Sequence, residues 1–169
     1  ALIQSFEKKG NIDEGWEFMK ALDRNTKQYF DSGTLMMQAI GRKEASISFS
    51  TLNDIMDNKL KNNLPIDIVN LESGYPVITD GIAAIKNSPH PNAAKAFVEF
   101  AGSPEVQSML AKEFNRMPTL EKALSDAPEW MSEIEFKPMD VDWVDLAEKQ
   151  SAWMQKWDTE IKDSGKDVK

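Results

Sequence analysis

The sequence predicts an α/β fold: a mixed sheet with helices packed on it and a helix-rich C-terminus. Three stretches predict it. Residues Ala45–Ser50 alternate, with Ala45, Ile47 and Phe49 on one side and Ser46, Ser48 and Ser50 on the other, the period of a half-buried strand. Pro76–Lys86 is largely apolar, interrupted by Thr79, Asp80 and Gly81. The turn residues Ser73-Gly74 and Asn87-Ser88-Pro89 bound it, as expected of a buried strand or pair of strands. Finally, Trp143, Leu146, Ala147, Trp153, Met154, Trp157 and Ile161 recur at helical spacing from about Asp142 to Lys162.

The remaining elements follow in chain order. Ile12, Trp16, Met19 and Leu22–Asp23 mark an amphipathic helix over Ile12–Asn25, with Asp13 and Glu14 in its positively polarised first turn. Gln28–Phe30 reads as a short strand closed by the turn Asp31-Ser32-Gly33. A second helix covers Thr34–Arg42, with Leu35, Met36, Ala39 and Ile40 inward. Thr51-x-x-Asp54 is a helix-starting pattern, and Leu52, Ile55, Met56 and Leu60 supply the buried stripe behind it. Asn62-Asn63 stops that helix before a strand at Pro65–Leu71. Pro91 suits a first helical turn; Ala94, Phe97, Val98 and Ala101 share a face, and Gly102 stands at the stop. Ser103-Pro104 opens another helix with Glu105 in its first turn. Asn115–Thr119 is a loop, helical pieces are expected around Leu120–Leu124 and Glu129–Ile134, and the tail after Lys162 is polar.

Composition narrows the function. The chain has 169 residues, 41% of them hydrophobic, enough for one core or two small ones. Its 28 acidic residues against 20 basic ones argue against a phosphate-backbone partner. The N-terminal residues lack the basic-then-apolar pattern of a signal peptide. With no cysteine there is no disulfide and no thiol chemistry. His90, in a Pro-His-Pro turn, is the one histidine, so it has no partner for metal binding or base catalysis and reads as a surface loop residue. Glu133/Glu135 and Asp140/Asp142/Asp145 follow no calcium-loop spacing and read as solvated charge. G-x-S-x-G, S-x-x-K, Walker A and G-x-G-x-x-G are all missing. The expectation is a non-enzyme with no cofactor and no metal.

The string E-x-G-x-P-V-x-x-D-G-I-A-A-I-K-x-x-x-H-P-x-x-A-K-A-F-V-E-F-x-x-S-P-E-V-Q, from Glu72 to Gln107, resembles the C-terminal half of bacterial extracellular solute-binding proteins of ABC importers. The nearest branch is the one holding ferric-, phosphonate-, thiamine- and polyamine-binding members. W-x-x-x-x-A-L-x-x-N-x-x-x-Y (Trp16 to Tyr29), the strand A-S-I-S-F-S and the terminal W-x-x-x-W-D (Trp153 to Asp158) agree with that order. The resemblance implies part of a two-lobed periplasmic-binding-protein fold of type II, matching its C-terminal portion. Residues 1–78 would be the remainder of lobe two and 79–169 the returning part of lobe one. It also implies a small polar ligand, a membrane permease as partner, and a periplasmic or extracellular location, with a lipid anchor possible through a preceding N-terminus. No nucleic acid is expected. Unpaired strand edges predict self-association.

Carried over position by position, the ligand-binding candidates are Tyr29 and Ser32 of the first turn, Ser50 and Thr51 at the end of the alternating strand, Glu72 and Tyr75 around the next turn, and Asp80 beyond it. Turn or strand-capping chemistry is the plainer reading of each. Ferric-binding members carry adjacent tyrosines where this chain reads Thr51-Leu52-Asn53-Asp54, so a tyrosine pair is not available for iron. Asp54 and Glu72 remain as hard-oxygen ligands. The competing function is a helix-rich interaction or sensor module without a small ligand, suggested by the Trp-bearing terminal helix and the acidic surface.

Overall fold

The computed structural model describes residues 1–134 and 137–163. Its helices are α1 (Leu2–Glu7), α2 (Ile12–Asn25), α3 (Gly33–Gly41), α4 (Leu52–Leu60), α5 (Pro91–Ala101), α6 (Pro104–Phe114), α7 (Glu121–Leu124), α8 (Trp130–Glu133) and α9 (Trp143–Lys156). A π-helical turn, Trp157–Ile161, continues α9. Glu135 and the polar tail from residue 164 onward lie outside the described residues.

The expected mixed sheet is not formed. Among the described residues the β contact is a single isolated parallel bridge between Tyr75 and Pro138. Ala45–Ser50, Pro65–Leu71, Pro76–Lys86 and Gln28–Phe30 adopt no strand. The physical reason is that apolar alternation encodes a surface to be covered, whereas a strand also needs a neighbouring row of donors and acceptors. Among the described residues no ladder forms beside these stretches, and several of their apolar side chains stand in solvent: Ile47 is 77% exposed and Ile85 82%. Apart from α1, the helices, whose hydrogen bonds close locally, form near the positions that apolar periodicity and turn residues indicate.

The chain divides into two compact units, each discontinuous in sequence. The first comprises the described residues of Ala1–Asp31, Leu71–Val77 and Lys137–Lys169. Its core joins Ile3, Trp16 and Ile161, with Ile12, Met19, Trp153 and Trp157 packed around them. Trp16 meets Trp153 edge-on at 6.5 Å, and Lys156 lies over the Trp16 ring at 4.7 Å. The terminal aromatic stripe is therefore core at Trp153 and Trp157, but Trp143 is largely exposed.

Helix α1 was not legible in the sequence, because six residues are too few to establish a period. It docks where Gly15 of α2 has no side chain: a Cβ there would sit 2.9 Å from the Phe6 Cβ. Its buried Gln4 holds the start of α9, donating from Nε2 to the Asp142 carbonyl and an Asp145 carboxylate oxygen, both at 2.8 Å. In return Gln4 Oε1 accepts from the Asp142 N–H at 2.9 Å. Asp142 itself caps α9, accepting from the amides of Val144 and Asp145.

The second unit comprises Ser32–Asn70 and the described residues of Ile78–Phe136. Its buried apolar residues are small or flexible: Met37, Ala39, Met56, Ala111, Ala123 and Met131. Asn115, in the left-handed region at φ 51°, ends α6 and donates to Asp57 of α4 at 2.7 Å. Burial would raise the Asp57 pKa, but hydrogen bonds from Lys61 and Asn115 outweigh it and hold the carboxyl below its ordinary value. Helix α5 buries none of its residues, so the apolar face shared by Ala94, Phe97, Val98 and Ala101 is not covered among the described residues.

Candidate functional site

The sequence candidates fall in both units. Tyr29, Glu72 and Tyr75 belong to the first, and Ser32, Ser50, Thr51 and Asp80 to the second.

In the first unit Tyr29 is a structural anchor. Its hydroxyl donates to the buried Asp23 carboxylate at 2.7 Å, and the same oxygen accepts the Asp163 N–H at 3.1 Å. The Tyr29 ring meets Trp157 edge-on at 5.8 Å. Burial, then the bond to Asp23, pushes its pKa up to about 12. A raised phenol pKa means that folding favours the neutral form. The contribution to stability is therefore whole below about pH 10, and is lost as pH rises through about 12. Ultraviolet titration is expected to show a phenol ionising near pH 12 that Tyr29→Phe removes. A titration unchanged by that substitution would contradict the assignment.

Glu72 and Tyr75 share one turn. Gly74, at φ +84°, reverses the chain there. The Tyr75 N–H donates to the Lys137 carbonyl and the Met139 N–H to the Tyr75 carbonyl, each at 2.8 Å. The Tyr75 hydroxyl accepts from the Leu71 N–H at 3.1 Å, and Lys137 Nζ donates to the Glu72 carbonyl at 2.8 Å. Glu72 is bound through its main chain, and its side chain is exposed.

The second unit gathers the groups best suited to a ligand. Ser32 caps α3 through a long bond, its hydroxyl accepting from Leu35 N–H at 3.5 Å. Thr51 occupies the corresponding position of α4, but its hydroxyl makes no capping bond, contrary to the pattern read from the sequence. The two helix starts are neighbours: a Cβ on Gly33 would lie 3.6 Å from Asp54 Oδ2, and Asn53 donates to the other Asp54 oxygen at 3.1 Å. First-turn amides, three hydroxyls, a side-chain amide and a carboxylate thus collect around residues 32–34 and 51–54. Ser50 precedes this cluster, half-buried. Asp80 lies elsewhere in the unit, paired with Arg116 at 2.8 Å. Asn53 and Gly33 were not singled out by sequence reasoning, since neither type carries a distinctive spacing.

Among the described residues no group of three or more His, Cys, Asp or Glu side chains could hold a metal ion. None of the described helices is long and apolar enough to cross a membrane.

Comparison with known proteins decides the family. The model of bacterial extracellular solute-binding proteins matches residues 1–114. The chain belongs to that family. A probable ABC transporter periplasmic-binding protein of Sinorhizobium fredii, y4fP, is 27% identical over 172 residues, covering 95% of this chain and 46% of the relative. An uncharacterized protein of Haemophilus influenzae is 27% identical over 152 residues, covering 88% of this chain and 44% of its own length. The chain thus spans about half the length of the curated relatives it matches. No solved structure matches significantly.

Proposed function

We propose that this solute-binding chain is the ligand-capturing component of an ABC importer, or a part of it, and that it delivers a small polar solute to a membrane permease without catalysis. Family membership over residues 1–114 is the observation that carries this reading. The name of the Sinorhizobium relative supports the transport role and a periplasmic or extracellular location. The lobe assignment, 1–78 and 79–169, and the lipid anchor go with the same proposal.

The neighbouring starts of α3 and α4 are the proposed contact region. Helix N-termini present amides to anionic or hydroxyl groups, and the Thr51 hydroxyl adds a partner not engaged in capping. Asp54 would take a cationic or hydroxyl group of the same solute. Ferric complexes, phosphonates and polyamines are the candidate classes; a ferric ion would meet carboxylate and hydroxyl oxygens rather than a tyrosine pair. Ser50, Glu72, Tyr75 and Asp80 remain proposed contacts of the whole protein, and Tyr29 and Ser32 complete that set.

Calorimetric titration of Thr51→Val and Asp54→Asn against the bound solute class tests this region. Each is expected to weaken binding by about tenfold or more, the effect of losing one charge-assisted hydrogen bond. Unchanged affinity in both would move the contacts away from these helix starts. The second reading, an interaction or sensor module, is favoured by the open apolar face of α5. Partner binding with no response to any solute would distinguish it.

A further inference from the structure

We infer that the first two turns of α9 are an arm held on α1 by a polar clasp, which acid and salt open while the rest of the terminal segment stays docked. The two halves of that segment are fastened by different means. Trp153, Trp157 and Ile161 pack in the core with Ile3 and Trp16. In the first half Trp143 and Val144 are exposed, and α9 buries none of its residues. What joins this half to α1 is polar. Gln4, 1% exposed, is its key: the side-chain amide both gives to and takes from the main chain of Asp142, and donates to Asp145. Beside it Lys149 Nζ lies 2.8 Å from a Glu7 carboxylate oxygen and 2.6 Å from one of Asp145. Lys8 Nζ donates to the Asp140 carboxylate at 2.7 Å and to the Asp140 carbonyl at 3.0 Å.

All of these contacts lie within the first unit, and Gln4 is already enclosed, so they stand whatever else packs on the unit's outer face. The charged groups of the clasp are Glu7 and Lys8 from α1, Asp140 and Asp142 from the approach to α9, and Asp145 and Lys149 from α9 itself. Hydrogen bonds from Lys149 and then Gln4 hold the Asp145 carboxyl below its ordinary value, and the bonds to Asp145 and Glu7 hold Lys149 above its own. The Asp145 contribution is therefore whole above the ordinary carboxylate value, about 4, and is lost as pH falls through the lowered one. Lys149 stays charged across that window. Acid thus leaves Lys8 and Lys149 facing neutral partners, and salt at about 1 M screens the same pairs, the Debye length there being about 3 Å. The contacts of Trp153 and Ile161 with the core depend on neither.

Amide hydrogen exchange of the 169-residue chain, corrected for the intrinsic effect of pH on exchange, tests this. Between about pH 6 and pH 3 the amides of residues 146–150 are expected to lose about tenfold or more of their protection, while those of 153–161 keep theirs. Salt at about 1 M is expected to act in the same direction at neutral pH. Gln4→Leu keeps the bulk of the side chain and removes its hydrogen bonds. At neutral pH it is expected to lower protection of 146–150 by about tenfold and to spare 153–161. The wild-type series needs no substitution and stands if the variant does not fold. Protection lost in both segments together, or kept at 146–150 through the acid series, would overturn the proposal. Neither result depends on the solute-binding reading.

Discussion

Replacing Trp16 with alanine is expected to destabilise the chain by about 3–5 kcal/mol, the range for truncating a large buried aromatic residue. Trp16 is 6% exposed and sits where three distant pieces of sequence meet: Ile3 of α1, its own helix α2, and Trp153 and Ile161 of the terminal helical segment. Its removal leaves a cavity that none of these can fill without shifting, and it deletes the edge contact with Trp153 and the cation of Lys156 over its ring. Urea unfolding followed by circular dichroism measures the loss. A change below about 1 kcal/mol, the size of an ordinary surface effect, would show that the first unit does not depend on this junction.

Gly74→Ala is expected to cost about 2–4 kcal/mol, from left-handed strain together with a steric clash. Gly74 is buried at φ +84°, and a Cβ there would lie 2.7 Å from the Lys137 carbonyl oxygen. That oxygen is the acceptor for the Tyr75 N–H, so the clash falls on the bridge joining Tyr75 to Pro138. Hydrogen exchange at Tyr75 and Met139 reads the effect locally, with faster exchange expected at both amides. Unaltered exchange and stability would mean that the turn adapts without cost.

What the sequence could and could not convey follows from the range of the interactions. Helix α2 lies over the stretch its periodicity predicts, and α6 begins at the Ser103-Pro104 cap, because caps and apolar spacing act within a few residues. Burial of Asp23 agrees with its place on the inward stripe of α2, although its partners Tyr29 and Asp163 were not foreseen. The sheet failed because pairing is non-local: Ile47 and Phe49 alternate as a strand should, but nothing in that alternation names the partner. Helix α5 forms from Pro91 to Ala101 as its face and caps indicate, and for the same reason what would cover that face was not legible. At the candidate site the hydroxyls of Ser32 and Thr51 could be picked from their turn positions. The approach of Gly33 to Asp54 could not, since it depends on how α3 packs against α4.

A thermal-shift panel of ferric citrate, phosphate, phosphonates, spermidine, thiamine and simple sugars tests solute capture most directly. One class is expected to raise the melting temperature, with a solute at one hundred times its dissociation constant adding about 2.7 kcal/mol of stability. A flat panel with the protein folded would contradict capture of these solutes by this chain.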